Sequence, residues 1–188
     1  VSDWDGDGDL DLVVSQNFYD TQLETAPYDA GLGLWLKGDG TGRFESLDDQ
    51  ASGIVVFGAG RGCAVGDFDR DGRSDLLVAR HRRPPRLYRN RRAWPGLQVM
   101  LRGPRGNPAG IGARLRLRGA AGEGPVVAIQ GGGGDGAQDS LSPVLGGVSD
   151  ASHLWIKWPG GAETITAVAP GARRMVVGLE GEVVEISR

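Results

Sequence analysis

Ser2-Asp3-Trp4-Asp5-Gly6-Asp7-Gly8-Asp9-Leu10-Asp11-Leu12-Val13-Val14 stands at the start of the chain, and its pattern returns 64 residues later as Gly66-Asp67-Phe68-Asp69-Arg70-Asp71-Gly72-Arg73-Ser74-Asp75-Leu76-Leu77-Val78. Internal repetition at such spacing points to propellers or solenoids. Counting from Asp3 or Asp67 as position one, carboxylates fall at one, three, five and nine, with glycine (Gly8, Gly72) at six. Calcium is a hard cation that takes about six to eight oxygens at roughly 2.3–2.6 Å, so alternate carboxylates plus one backbone carbonyl suit it. Position seven supplies that carbonyl, and any side chain is tolerated there; this explains Arg73 beside a cation. The spacing therefore predicts two calcium sites, one on Asp3, Asp5, Asp7, Asp9 and Asp11, the other on Asp67, Asp69, Asp71, Arg73 and Asp75.

A helix-loop-helix calcium hand is excluded, because such loops need a bidentate glutamate at position twelve, where this chain has Val14 and Val78. The flanks Leu10 to Val14 and Asp75 to Val78 are rich in strand formers. Each apolar run is followed by a looser loop and a second strand-like segment, Gly33-Leu34-Trp35-Leu36-Lys37 in one unit and Arg86-Leu87-Tyr88-Arg89-Asn90 in the other. Asp39-Gly40 before Arg43-Phe44-Glu45 is a hairpin signal. Four strands per unit are expected, as in a propeller blade.

Beyond Trp94-Pro95-Gly96 the repetition stops. Apolar residues then alternate in short stretches: Leu97, Val99, Leu101; Ala113, Leu115, Leu117; Leu154, Ile156, Trp158; Met175, Val177, Leu179. Period two means strands with one buried face. Thirty-three glycines against 6% aromatics fit many short strands joined by tight turns. The whole chain reads as all-β, with residues 1–92 and 94–188 as two domains.

The loops resemble the FG-GAP/VCBS repeats of integrin-like β-propellers, and Gly58-Ala59-Gly60-Arg61-Gly62-Cys63-Ala64-Val65-Gly66-Asp67-Phe68 resembles the strand that enters such a loop. The resemblance implies about two blades of a partial propeller, the first without its opening strand, with an ion between two strands of each blade. Two blades do not close a propeller, so further N-terminal blades, and any signal peptide, are expected before Val1. The later part resembles the ASPIC/UnbV domain of cartilage-acidic-protein-like proteins. The matching pieces are Trp94 with Leu97-Gln98-Val99-Met100-Leu101-Arg102-Gly103, Asn107-Pro108-Ala109-Gly110-Ile111-Gly112-Ala113-Arg114-Leu115, and Ile156-Lys157-Trp158-Pro159-Gly160-Gly161. A β-sandwich-like C-terminal domain is implied.

Several other functions lack their parts. A net charge of −3 offers no large positive field for nucleic acid, and Pro84-Pro85 interrupts the arginine run from Arg80 to Arg92. No apolar run approaches a membrane span. Gly131 to Gly136 lack the lysine and following helix of a phosphate loop. His81 and His153 are the only histidines and no G-x-S-x-G is present; Cys63 is expected to be buried and inert. Trp35, Trp94, Trp155 and Trp158 are expected in the core. The reading is a non-enzymatic, extracellular, cell-surface or periplasmic module in which structural calcium stiffens a surface for a protein or glycan partner. The UnbV resemblance also implies an alternative, an accessory or catalytic role in enediyne-type secondary metabolism.

Overall fold

In the computed structural model the aspartate loops each run straight into a strand. The structure describes residues 1–16, 31–120, 122–134, 136–147 and 150–187. The looser loop expected after Val14 falls largely in residues 17–30, outside the described residues.

The first loop feeds β1 (Leu12–Val14), which pairs antiparallel with β2 (Leu34–Gly38), itself paired with β3 (Phe44–Leu47) across the Asp39-Gly40 turn. A single helical turn, α1 (Asp49–Ser52), follows; Asp48 accepts the Ala51 N–H at 2.7 Å and Gly53 ends it at φ 68°. β4 (Gly60–Gly66) enters the second loop, β5 (Asp75–Arg80) leaves it, and β6 (Arg83–Tyr88) completes an antiparallel sheet ordered β4-β5-β6. The first unit has the three strands expected of one without its opening strand, and the second has three among the described residues, not four. After Tyr88 the backbone turns across the loops, where Asn90 donates its N–H to Asp75 at 2.8 Å, so no fourth strand follows. Pro84 and Pro85 sit inside β6, an edge strand, opposite the register shift between Val78 and Arg80, where neither has a paired residue on β5.

Trp4 joins the two units. Its indole packs with Ile54, Val56, Leu76 and Val78 in one buried cluster, against which Val13, Trp35, Cys63, Val65 and Tyr88 rest.

The rest of the chain forms two sheets around a second core. One contains β8 (Arg114–Gly119), β9 (Gly122–Glu123), β10 (Val127–Ala128), β12 (Ala151–Lys157) and β13 (Glu163–Ala167); the other runs β11 (Val144–Leu145), β7 (Leu97–Arg102), β14 (Arg174–Gly178), β15 (Val183–Ser187). Leu97, Val99 and Leu101 from one sheet meet Leu115, Leu117, Leu154 and Ile156 from the other, with Met175, Val177 and Trp158. Burying each such side chain contributes about 1.5–3 kcal/mol. All pairings are antiparallel except β7 with β14, which is parallel.

Three expectations are corrected. Trp94 is 79% exposed, because its N–H goes to the Asp5 carbonyl at 3.1 Å and holds the linker outside both cores. Cys63 is half-buried rather than enclosed, though burial still pushes its thiol up. Leu179 lies past the end of β14 and is 44% exposed, while Val176, out of the alternation, is buried.

Candidate metal centre

Each loop is wound around the carboxylate at position one. Asp3 accepts the N–H groups of Gly6 at 2.7 Å and Gly8 at 3.0 Å; Asp67 accepts those of Asp71 at 3.1 Å and Gly72 at 3.0 Å. Position five then takes the N–H of position seven, Asp7 from Asp9 at 2.9 Å and Asp71 from Arg73 at 3.0 Å. Position six has a left-handed backbone in both, φ 99° at Gly8 and 82° at Gly72, which is why glycine stands there. Position four is left-handed too: Gly6 adopts it freely, whereas Arg70, at φ 62°, does so at a cost of roughly 1–2 kcal/mol.

Position nine is a brace. Asp11, fully buried, accepts the Trp4 N–H at 2.9 Å with one oxygen and the Gly38 N–H at 2.8 Å with the other. Asp75 repeats this with Phe68 and Asn90, both at 2.8 Å. Each brace ties its loop to the far end of the neighbouring strand.

Three carboxylates converge in each loop, Asp3 with Asp5 and Asp11, and Asp67 with Asp69 and Asp71, with one oxygen from each lying within 4.8 Å of the others. Two calcium–oxygen distances of roughly 2.4 Å placed end to end span about the same length. The donor set is oxygen alone, as a hard cation requires. In the second loop Oδ1 of Asp69 is buried and has no hydrogen-bond partner, an arrangement that is costly without a cation.

The remaining expected ligands lie differently. Asp7 sits outside the first triad, its carboxylate turned to Lys37 Nζ at 2.8 Å. Asp9 faces the β2–β3 turn, where desolvation, then Asp7 and Asp39, push its carboxyl up. Asp75 braces its loop from outside the second triad. The Arg73 guanidinium folds back onto Asp71 at 2.9 Å and onto the Ala93 carbonyl at 2.7 Å.

Crowding of like charge leaves its mark on Asp3. Burial first, and Asp7 and Asp5 next, raise its carboxyl to about 6 against the pull of its two backbone N–H donors. Burial likewise raises Asp11 and Asp67. These are sites that accept negative charge reluctantly until a cation arrives.

Two residues not singled out in the sequence complete the geometry. Lys37 donates to Asp5 and Asp7, and Arg89 donates to Asp69. They are equivalent positions: Leu36 pairs with Leu12 as Tyr88 pairs with Leu76, and the next residue along the chain, inside β2 in one unit and just after β6 in the other, is the basic one. The second strand repeats after 52 residues, not 64, so the correspondence is hidden by the different lengths of the intervening loops.

Residues 3–78 match the family model of the FG-GAP-like repeat. The matched stretch of FG-GAP-like sequence holds both triads and Lys37 and ends two strand residues before Arg80, so Arg89 lies outside it. No curated protein matches the chain.

The loops also hold the linker to the C-terminal sheets. Besides Trp94 on Asp5 and Arg73 on Ala93, Gly96 donates to the Gly72 carbonyl at 2.8 Å. Farther along, Asp139 accepts the Val65 N–H at 2.8 Å and Ser140 donates to the Val65 carbonyl at 2.7 Å, extending β4 at its edge.

Proposed function

We propose that this chain is a non-enzymatic, calcium-stabilised interaction module, in which two ions lock the aspartate loops and the loops in turn fix the C-terminal sheets. The observation that carries the reading is the partnerless, buried Asp69 Oδ1 inside a converged carboxylate triad that has a counterpart in the first repeat. The loops that carry the triads brace strands through Asp11 and Asp75 and hold the linker through the Asp5 carbonyl and Arg73, which favours structural over catalytic metal. The exposed Trp94, held against the first loop, is the natural element for such a rigidified surface to present to a protein or glycan.

The C-terminal part is proposed to be of the ASPIC/UnbV type, on the motifs given above, and the FG-GAP-like part to be two blades of a propeller with others. Calcium loops of modest affinity need the millimolar calcium found outside cells, so an extracellular, cell-surface or periplasmic setting is part of the proposal.

The test is thermal unfolding of the full chain with calcium and with chelator, alongside a variant carrying Asp5→Ala and Asp69→Ala. Binding to the folded state raises its apparent stability by mass action. A calcium-dependent rise that disappears in the variant supports the reading. No rise at millimolar calcium overturns it.

A further inference from the structure

We propose that Lys37 and Arg89 are tethered counter-ions: each holds one oxygen of the position-three carboxylate of its loop and opposes the binding of a divalent cation there, so these two side chains set the affinity of the loops. The inference rests on the calcium reading above and deepens it.

The same arrangement arises twice from different residues. Strand β2 carries Lys37 one residue before Gly38, whose N–H the Asp11 brace accepts; the chain after β6 carries Arg89 one residue before Asn90, whose N–H the Asp75 brace accepts. The brace therefore delivers a basic side chain to the mouth of each loop. Lys37 takes both Asp5, which belongs to the first triad, and Asp7, which lies outside it. Arg89 takes one oxygen of Asp69 and leaves the other alone.

Displacement is sterically open. The Lys37 and Arg89 side chains are 37% and 46% exposed, so each reaches solvent by rotating its own stem. For Lys37 a second carboxylate is waiting: Glu45 lies directly opposite on β3, where cross-strand neighbours share a face. Lys37 and Arg89 each take one oxygen of the position-three carboxylate, so what sets them against an ion at the other oxygen is the repulsion of like charges at short range. The metal-free loop is thereby protected from the mutual repulsion of its aspartates, at the expense of weaker ion binding.

The loops are not equal in this respect. The first has five aspartates and Lys37; the second has four, with Arg73 on Asp71 and Arg89 on Asp69. The first loop is expected to fill at lower calcium.

The experiment is calorimetric titration of calcium chloride into the full chain, in Asp69→Ala and Asp5→Ala backgrounds that leave one loop each, with and without Lys37→Met or Arg89→Met. Expected is roughly tenfold tighter binding in each Met variant at its own loop. In chelator, the melting temperature of the Met variant falls by about 2–4 °C while that in saturating calcium does not fall. Lys37→Arg, which keeps the charge, is expected to retain the weaker binding. If the parent chain binds calcium and the Met variants bind with unchanged or lower affinity, or melt lower in both states, the tether is overturned while the calcium reading stands. If the parent chain binds no calcium, both fall.

Discussion

Gly8, in the first aspartate loop, and Gly147, beyond β11, lie so close that a Cβ on Gly8 would stand 2.8 Å from the Gly147 Cα, and a Cβ on Gly147 would come closer still to Gly8. Gly146 is equally confined, against the Asp3 carboxylate. The first loop is thus pressed against the C-terminal sheets, and its shape depends on a contact between backbones.

Gly147→Ala is accordingly expected to destabilise the chain by about 1–3 kcal/mol, since it combines overpacking with a left-handed backbone at φ 76°. Gly106→Ala, where a Cβ meets nothing within 4 Å, is the control and is expected to be neutral or slightly stabilising. Denaturant melts of the two variants check this.

In chelator, stability is expected to decline as pH rises from about 4 to about 6. Asp3 holds its proton up to about 6 in the folded chain against 3.8 ordinarily, so over that window the folded state binds more protons than the unfolded state. Asp7 acts at the other end: against the upward push of desolvation, Lys37 holds its carboxyl down, a stabilisation lost on acidification. Calcium reverses the upper trend, because ligation needs the carboxylate and the ion's advantage grows as Asp3 loses its proton. Melting temperatures across pH, with and without calcium, give both slopes.

The brace at position nine is expected to matter without metal. Asp75→Asn faces one of two backbone N–H donors with an amide NH2 and is expected to cost about 1–3 kcal/mol even in chelator. Asp69→Asn, whose partner is the half-exposed Arg89, is expected to cost under about 1 kcal/mol in chelator and to show its main effect only with calcium. Equal losses for the two in chelator would contradict the division between brace and ligand.

The aspartate loops were legible in the sequence because their geometry is local: position-one carboxylates bond within five residues, and glycine at six answers to a single backbone angle. The alternation of Leu97 to Leu101 and of Ala113 to Leu117 was legible for the same reason, since period two needs no knowledge of the partner. What escaped depends on distant residues. Lys37 and Arg89 are ordinary strand-end bases until the Asp11 and Asp75 braces position them, and the signal for them, a basic residue just before the second strand's last bond, is blurred by loops of unequal length. Trp94 was expected in the core because its neighbourhood is apolar in sequence, yet hydrogen bonds from the loops to the linker keep it outside. Strand order in the C-terminal sheets has no local signature at all.

That order bears on how the protein is made. β7 is the earliest of the C-terminal strands to leave the ribosome, but its two neighbours are β11 and, in parallel, β14, more than seventy residues downstream. Until Gly178 emerges, Leu97, Val99 and Leu101 form an apolar row on a strand with an open edge, the kind of surface that chaperones bind and other nascent chains pair with. The aspartate loops complete themselves early and locally, whereas the sheets they anchor have to wait for β14.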